Sequence, residues 1–379
     1  MNVALLGLGT VGRAVFDILD SKAFRIFQSY EVNVKYVLVR NKENKNIDKS
    51  LLTTDYEQIL ADDDVDVVVE MMGASVSFAY MKRALLASKH VITANKEVIA
   101  NHYVELQTIA MENKVKLLFE ASVGGGIPIV HTLLNSAPFN HITKIEGILN
   151  GTTNYILTMM QKEKISFSDA LAKAQALGFA ESDPTADLEG LDMVRKIAIL
   201  SMICFNSKIN INDIYHYGIK NVNSEIVEIV DLLGYKLKFL ASANLDNEEV
   251  SIAVEPVLFK SDNLLANADY EYNIIRYYGE GCSTQVMYGK GAGPTTANSI
   301  VFDLGLVLSD YRQKFIPKYE FECCGNKNHN FRYFIKTNVG FDYSICEKKL
   351  GNLVITKKIS GEELNNMKEF VEFYARIID

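Results

Sequence analysis

The residues most able to do chemistry lie in the run from Gly178 to Leu200, GFAESDPTADLEGLDMVRKIAIL. Glu181, Asp183, Asp187, Glu189 and Asp192 crowd its first two thirds, with Asp169 a little upstream. Lys196 follows Asp192 by four residues, so on a helix the two share a face and pair. A lysine beside an acid can give or take a proton at an oxygen while the acid holds and tunes it. The remaining carboxylates suit a substrate ammonium. The plain alternative is an i,i+4 ion pair on a solvated face, worth roughly a few tenths of a kcal/mol.

The elements around this run must place it. Pro184 fixes its own φ and pushes Asp183 out of the helical region, so 181–185 reads as an ordered loop. Leu191, Val194, Ile197, Ala198 and Leu200 then recur at a helical period. Upstream, 142–149 reads as a strand, followed by the turn Asn150-Gly151-Thr152-Thr153-Asn154 and an apolar helix over 155–160. Thr153 or Asn154 can cap that helix or hydrogen-bond a substrate. A helix over 166–177 opens on Ser166 and Asp169 and stops at Gly178. Downstream, a helix is expected over 224–241 and strands over 250–258, 274–279 and 284–288.

The N-terminal stretch NVALLGLGTVGRAVFDIL reads as strand, glycine turn and amphipathic helix. Gly7, Gly9 and Gly12 make GxGxxG in the setting that lets a backbone approach a pyrophosphate at a helix N-terminus. The second strand, 32–39, ends in Arg40-Asn41-Lys42, with Glu31 at its other end. A guanidinium and an ammonium suit a 2′-phosphate, so NADP is preferred over NAD; a solvated basic turn is the alternative. Alternating strands and helices continue with strands at 65–70, 90–94 and 116–123, the pattern of a doubly wound parallel sheet. Gly73-Ala74 and Asn95-Lys96 follow strands, where ligands sit in such folds. Glu120 precedes Gly124-Gly125-Gly126, a turn that can hold a hard cation through oxygens or act as a hinge.

A second glycine-rich loop, 289–297, leads into a helix ending near Leu308 and expected to rejoin the nucleotide domain, with Thr295 or Thr296 as cap. Strands at 332–337 and 353–358 and a terminal helix over 361–378 make a small α+β appendage. The expected organisation is a Rossmann-type domain over 1–128, joined by 290–310. An α+β catalytic and dimerisation domain follows over 129–289, with a short ACT-like or truncated regulatory tail over 311–379.

The 379 residues are 48% hydrophobic and 23% charged, with a net charge of −8, ordinary globular composition that argues against a nucleic-acid partner. Asn2 leads straight into Val3–Leu6, so no signal peptide is read, and the longest apolar runs fall short of a membrane span. Five scattered cysteines form no CxxC pair, and Cys323, Cys324 and His329 lack a zinc spacing. The cytoplasm is the expected location.

These motifs, in this order, resemble the homoserine dehydrogenase family. The resemblance rests on GLGTVG at 7–12, TTDYEQILADDDVDVVVEMMG at 53–73, VITANK at 91–96, FEASVGGGIP at 119–128, GILNGTTNYIL at 147–157, LGFAESDPTADLEGLDMVRK at 177–196 and GKGAGPTTA at 289–297. It covers about residues 1–310. It implies NAD(P)H-dependent reduction of L-aspartate 4-semialdehyde to L-homoserine, in a homodimer. It makes Lys196 the proton donor, Asp192 its orienting acid, and Lys96 a second acid/base or the holder of the substrate carboxylate. Glu181 would bind the ammonium, with Thr152 and Asp187 near that polar end. Gly7, Gly9, Thr10, Val11, Gly12, Arg40, Gly73, Lys96 and Gly291 would line the cofactor. Glu120 and the carbonyls of Val123, Gly125 and Ile127 match the family's sodium site.

This chain departs from the family in three ways. Phe179 stands where a Tyr is usual, Pro294 directly follows Gly293, and the tail is shorter than the regulatory domain many members carry. Two other functions fit parts of the chain. A semialdehyde dehydrogenase would need Cys204 or Cys282 as nucleophile, and a cofactor-binding regulator would have lost catalysis.

Overall fold

The computed structural model describes residues 1–21, 29–43, 45–73, 76–309, 311, 314–323 and 329–378. Ala74, Ser75 and Cys324 lie outside them. The chain forms two compact units: residues 1–135 with 290–318, and residues 136–289 with 319–379.

In the first unit β1 (Asn2–Leu6), α1 (Thr10–Ser21), β2 (Asn33–Leu38), β3 (Leu52–Thr53), α2 (Tyr56–Ala61), β4 (Val67–Glu70), α3 (Ser77–Leu86), β5 (His90–Thr93), α4 (Lys96–Glu112), β6 (Leu117–Leu118) and α5 (Ile129–Ser136) follow in order. Its six strands are parallel and ordered β3-β2-β1-β4-β5-β6. This is the doubly wound Rossmann order, with its reversal between β1 and β4. Val3, Leu5, Val67, Val69 and Ile92 are buried on it, as expected for strands covered on both faces. The expected strand over 116–123 is only Leu117–Leu118, because the chain turns into a 3-10 turn at Glu120–Ser122.

The second unit opens with β7 (Ile142–Ile148), α6 (Gly151–Glu163), α7 (Phe167–Ala176), α8 (Thr185–Leu188) and α9 (Leu191–Phe205). Ser166 accepts from the Asp169 amide at 3.2 Å and caps α7 as expected. Then come β8 (Tyr215–His216), α10 (Ser224–Leu232), β9 (Tyr235–Asp246), β10 (Glu249–Lys260), β11 (Tyr272–Gly279) and β12 (Ser283–Lys290). The helix expected over 224–241 is therefore wrong in its second half. Gly234 takes φ +78° and ends it, and Leu237, Phe239 and Ala241 alternate onto a buried sheet face.

The chain returns to the first unit as α11 (Pro294–Leu308), whose Ala297, Ile300 and Leu304 enter that unit's core. Gly293 is its N-cap without any side-chain hydrogen bond, so neither Thr295 nor Thr296 caps it. The final strands, β13 (Glu322–Cys323), β14 (Asn330–Thr337), β15 (Cys346–Leu350), β16 (Leu353–Thr356), β17 (Ile359–Ser360) and β18 (Val371–Ile378), with α12 (Gly361–Asn366), belong to the second unit. Its sheet runs β12-β11-β7-β9-β10-β18-β14-β16-β15, with β8 and β13 beside β10 and β17 beside β14. The terminal helix expected over 361–378 is thus a short helix and a strand. Phe373, Ala375 and Ile377 alternate in β18, which fills the place between β10 and β14.

Candidate active site

Helix α9 is buried almost all round, so its charged residues lie on no solvated face. Lys196 is 9% exposed and Asp192 7%. The Lys196 ammonium donates to Asp192 Oδ2 at 2.7 Å and to the Leu149 carbonyl at 2.7 Å. The i,i+4 spacing thus makes a buried, doubly anchored lysine, and the plain surface pair is excluded.

Asn150 completes the cluster. Its Oδ1 accepts from the Thr153 amide at 2.8 Å and caps α6, so the cap is neither Thr153 nor Asn154. Its Nδ2 donates to Asp187 Oδ1 at 2.7 Å and to Asp192 Oδ2 at 2.9 Å. One amide therefore bridges two carboxylates from the acidic loop and α9. Burial pushes the Asp187 carboxyl above its ordinary value and the Asp192 charge adds to this, against Asn150, Lys196 and Thr152. Thr152 also donates to the Phe179 carbonyl at 2.6 Å, and the Phe179 ring packs against Tyr155. Glu181 is not drawn in: its side chain is exposed and its carbonyl accepts from Gln175 at 3.1 Å.

In the first unit the glycine turn has the expected build. Gly7 takes φ +102°, which a side chain resists. A Cβ on Gly12 would lie 2.4 Å from the Gly7 carbonyl oxygen, so helix and strand pack too closely for one, whereas Gly9 faces open space. Thr10 begins α1 and is exposed; Val11 packs on the core. Residues Gly7 to Gly12 thus form a cradle at a helix N-terminus, which fits a pyrophosphate. Gly73 is exposed with φ +60°. The turn before it is held by Glu70, fully buried, which accepts from Met72 N (2.8 Å), Gly73 N (3.3 Å), Ser77 Oγ (2.8 Å) and Thr93 Oγ1 (2.7 Å). Arg40 is exposed two residues beyond β2. Lys96 is half-buried at the first position of α4, behind the cap Asn95.

Glu120 is buried and accepts from the Val130 and His131 amides of α5 at 2.9 and 2.8 Å. Burial raises its carboxyl to about 7. Gly124 and Gly125 both have positive φ; the Gly125 carbonyl accepts from Ser299 Oγ at 2.6 Å and the Ile127 carbonyl from Ile129 N at 2.8 Å. Val123 is buried beside them. Gly291 packs on this turn, since a Cβ on Gly125 would fall 2.4 Å from its carbonyl carbon. The donors are all oxygen, and each engaged carbonyl keeps a second lone pair, so they fit a hard cation.

The residues missed in the sequence are Asn150 as the bridge, Glu70 as the buried clamp, and Lys238, a buried lysine beside α6. A glutamate closing an apolar strand and an asparagine just ahead of a helix were the available signals for the first two. Cys204 is buried and its thiol is pushed far up by burial, the reverse of an activated nucleophile.

A Rossmann unit with an open glycine turn, and a unit bearing a buried acid–lysine couple, define a nicotinamide-dependent oxidoreductase. Comparison with known proteins makes this particular. A family model for homoserine dehydrogenase matches residues 128–304, and one for the homoserine dehydrogenase NAD-binding domain matches 7–120. A homoserine dehydrogenase of Bacillus subtilis (strain 168) is 40% identical over 333 residues, 84% of this chain and 77% of that protein. The crystal structure of a homoserine dehydrogenase from Thiobacillus denitrificans matches with TM-score 0.90 at 29% identity, covering 100% of this chain and 98% of that one. A hyperthermophilic archaeal homoserine dehydrogenase in complex with NADPH matches with TM-score 0.71 at 26% identity, covering 82% and 98%. The chain belongs to the homoserine dehydrogenase family, enzymes that interconvert L-aspartate 4-semialdehyde and L-homoserine with a nicotinamide cofactor. No helix among the described residues is long and apolar enough to cross a membrane.

Proposed function

We propose that Lys196 is the proton donor and acceptor of this reaction and Asp192 its orienting acid. A nicotinamide dinucleotide, when bound, supplies or takes up the hydride. Lys196 gives a proton to the aldehyde oxygen as it becomes an alcohol, and in reverse, when neutral, takes the alcohol proton. The observation that carries this is its ammonium, buried and aimed by both Asp192 Oδ2 and the Leu149 carbonyl. Asp187 and Thr152 receive the polar end of the substrate, and Glu181 in the exposed loop supplies charge for its ammonium. Lys96 holds the substrate carboxylate; the N-terminus of α4 favours the same anion.

Gly7, Gly9, Thr10, Val11 and Gly12 cradle the pyrophosphate, with Gly73 and Gly291 lining the cofactor. Arg40, exposed beyond β2, selects the 2′-phosphate of NADP over NAD. Glu120 with the carbonyls of Val123, Gly125 and Ile127 would hold a monovalent cation, in keeping with sodium, which would neutralise the buried carboxylate and brace the turn. A cytoplasmic homodimer completes the proposal; the free Cys204, Cys282, Cys323 and Cys346 agree with a reducing compartment.

The test is nicotinamide absorbance with purified protein, L-homoserine and NADP at alkaline pH, repeated with NAD and with Lys196→Ala and Arg40→Ala. Homoserine-dependent reduction that Lys196→Ala abolishes, with cofactor binding kept, is expected. Normal turnover in Lys196→Ala would remove the assignment, and an unchanged NADP/NAD ratio in Arg40→Ala would remove that of Arg40.

A further inference from the structure

The acidic loop is fastened by a segment that no catalytic motif contains. The Ile219 amide donates to the Leu188 carbonyl at 2.9 Å, one residue beyond Asp187. Gly218 lies so close that a Cβ on it would stand 2.3 Å from that carbonyl oxygen and 2.9 Å from the Glu189 Cα. Lys220 pairs with Glu189. At its other end the segment is sewn to the sheet and to the C-terminal strand. Tyr217 N donates to Val254 O at 2.9 Å, and β8 pairs with β10. The Tyr217 ring stacks on Tyr374 of β18, with centroids 4.3 Å apart and planes at 15°. Tyr215 and Tyr374 join through their hydroxyls, and Asn221 Nδ2 donates to the Glu372 carbonyl at 2.9 Å.

We propose that residues 215–220 are a strap through which the C-terminal strand β18 sets the position of Asp187, making Tyr217 and Gly218 positioning residues for substrate binding. The inference rests on the role given to Asp187 above. The strap meets Leu188 and Glu189, the two residues directly after Asp187, backbone to backbone with no side chain between, and such a junction transmits a displacement instead of absorbing it. Tyr374 is 2% exposed and paired with Ile335 of β14, in a strand that β10 also holds from Arg376 onward, so it is a rigid anchor for the Tyr217 ring.

The experiment is steady-state kinetics of the full chain with L-homoserine and NADP for Tyr217→Leu, Gly218→Ala, Tyr217→Phe and Asp187→Asn, with Tm alongside. Misplacing a substrate-positioning group by a fraction of an ångström should raise the homoserine KM about tenfold in the first two variants. The NADP KM stays unchanged, and Tyr217→Phe, which keeps the stack, behaves as the parent. A lowered Tm with an unaltered homoserine KM in Tyr217→Leu, or in Gly218→Ala should Tyr217→Leu not fold, would overturn the strap. An unaltered homoserine KM in Asp187→Asn would instead overturn the role of Asp187, so the two failures are told apart.

Discussion

Lys196 and Lys238 approach the same NGTTN turn from its two ends, and both are buried. Lys196 binds the carbonyl of Leu149, just before the turn; Lys238 binds Asn154 Oδ1 at 3.2 Å, at its close, together with the Ala268 carbonyl at 2.6 Å and Asp269 at 3.2 Å. Their surroundings differ in charge. Around Lys196 one lysine serves two carboxylates, Asp192 and Asp187, that share the Asn150 amide. Around Lys238 one carboxylate serves two lysines, since Asp269 also pairs with Lys162 at 2.6 Å. Lys238 is 1% exposed, and burial lowers its ammonium to about 8 despite Asp269. The first cluster keeps a surplus carboxylate, pushed up and half-exposed, that a substrate cation would satisfy. The second is closed. With Lys196 in the role proposed above, burial alone would not make a lysine chemical; a spare partner of opposite sign at a solvent-reachable edge would.

The largest test of this contrast is Lys196→Met, which should lower turnover by about 10²- to 10⁴-fold, the usual range for losing a positioned acid–base group, with the NADP KM retained. Asn150→Ala comes next. Without the shared donor the two carboxylates are no longer bridged and repel more strongly, and kcat/KM for homoserine should fall roughly 10- to 100-fold by misplacement. Loss of the α6 cap should also take about 1 kcal/mol from stability, read by urea unfolding. If Asn150→Ala lost stability but no activity, the bridge would be a cap and nothing more.

Lys238→Met should keep turnover within about threefold, because no step is assigned to Lys238, and should change the pH profile of stability instead. A lysine lowered from 10.5 to about 8 in the folded state stabilises it above the ordinary lysine range, and this is lost as pH falls through about 8. The Tm of the parent relative to Lys238→Met should thus climb as pH rises from 8 to 10.5. A flat difference, or a collapse in turnover, would erase the distinction between the two lysines. The smallest effect is expected from Phe179→Tyr. It adds a hydroxyl to the ring that packs against Tyr155, and a hydrogen bond of about 1 kcal/mol gained to the substrate would lower the homoserine KM roughly fivefold.

Local signals were legible wherever the chemistry is local. Gly7, Gly9 and Gly12 report a turn because their φ values and close contacts are set within one strand–turn–helix unit. Asp192 and Lys196 report a pair because four residues make one helical turn. The misread elements are those whose partners come from far away. Residues 235–241 and 371–378 carry enough helix-tolerant residues to continue their preceding helices. They become strands because β10 pairs along the whole of the first, while β14, with β10 at the C-terminal end, pairs the second and supplies the backbone hydrogen bonds.

By itself the sequence determined the family, the parallel nucleotide-binding sheet and the pairing of Asp192 with Lys196. All of these depend on residue type and short spacing. Only the tertiary structure decided that the Asp192–Lys196 pair is buried, that Asn150 binds two carboxylates at once, and that Tyr374 reaches the acidic loop through Tyr217. Burial and long-range hydrogen bonds are properties of which surfaces meet, and no local pattern of residues encodes the meeting.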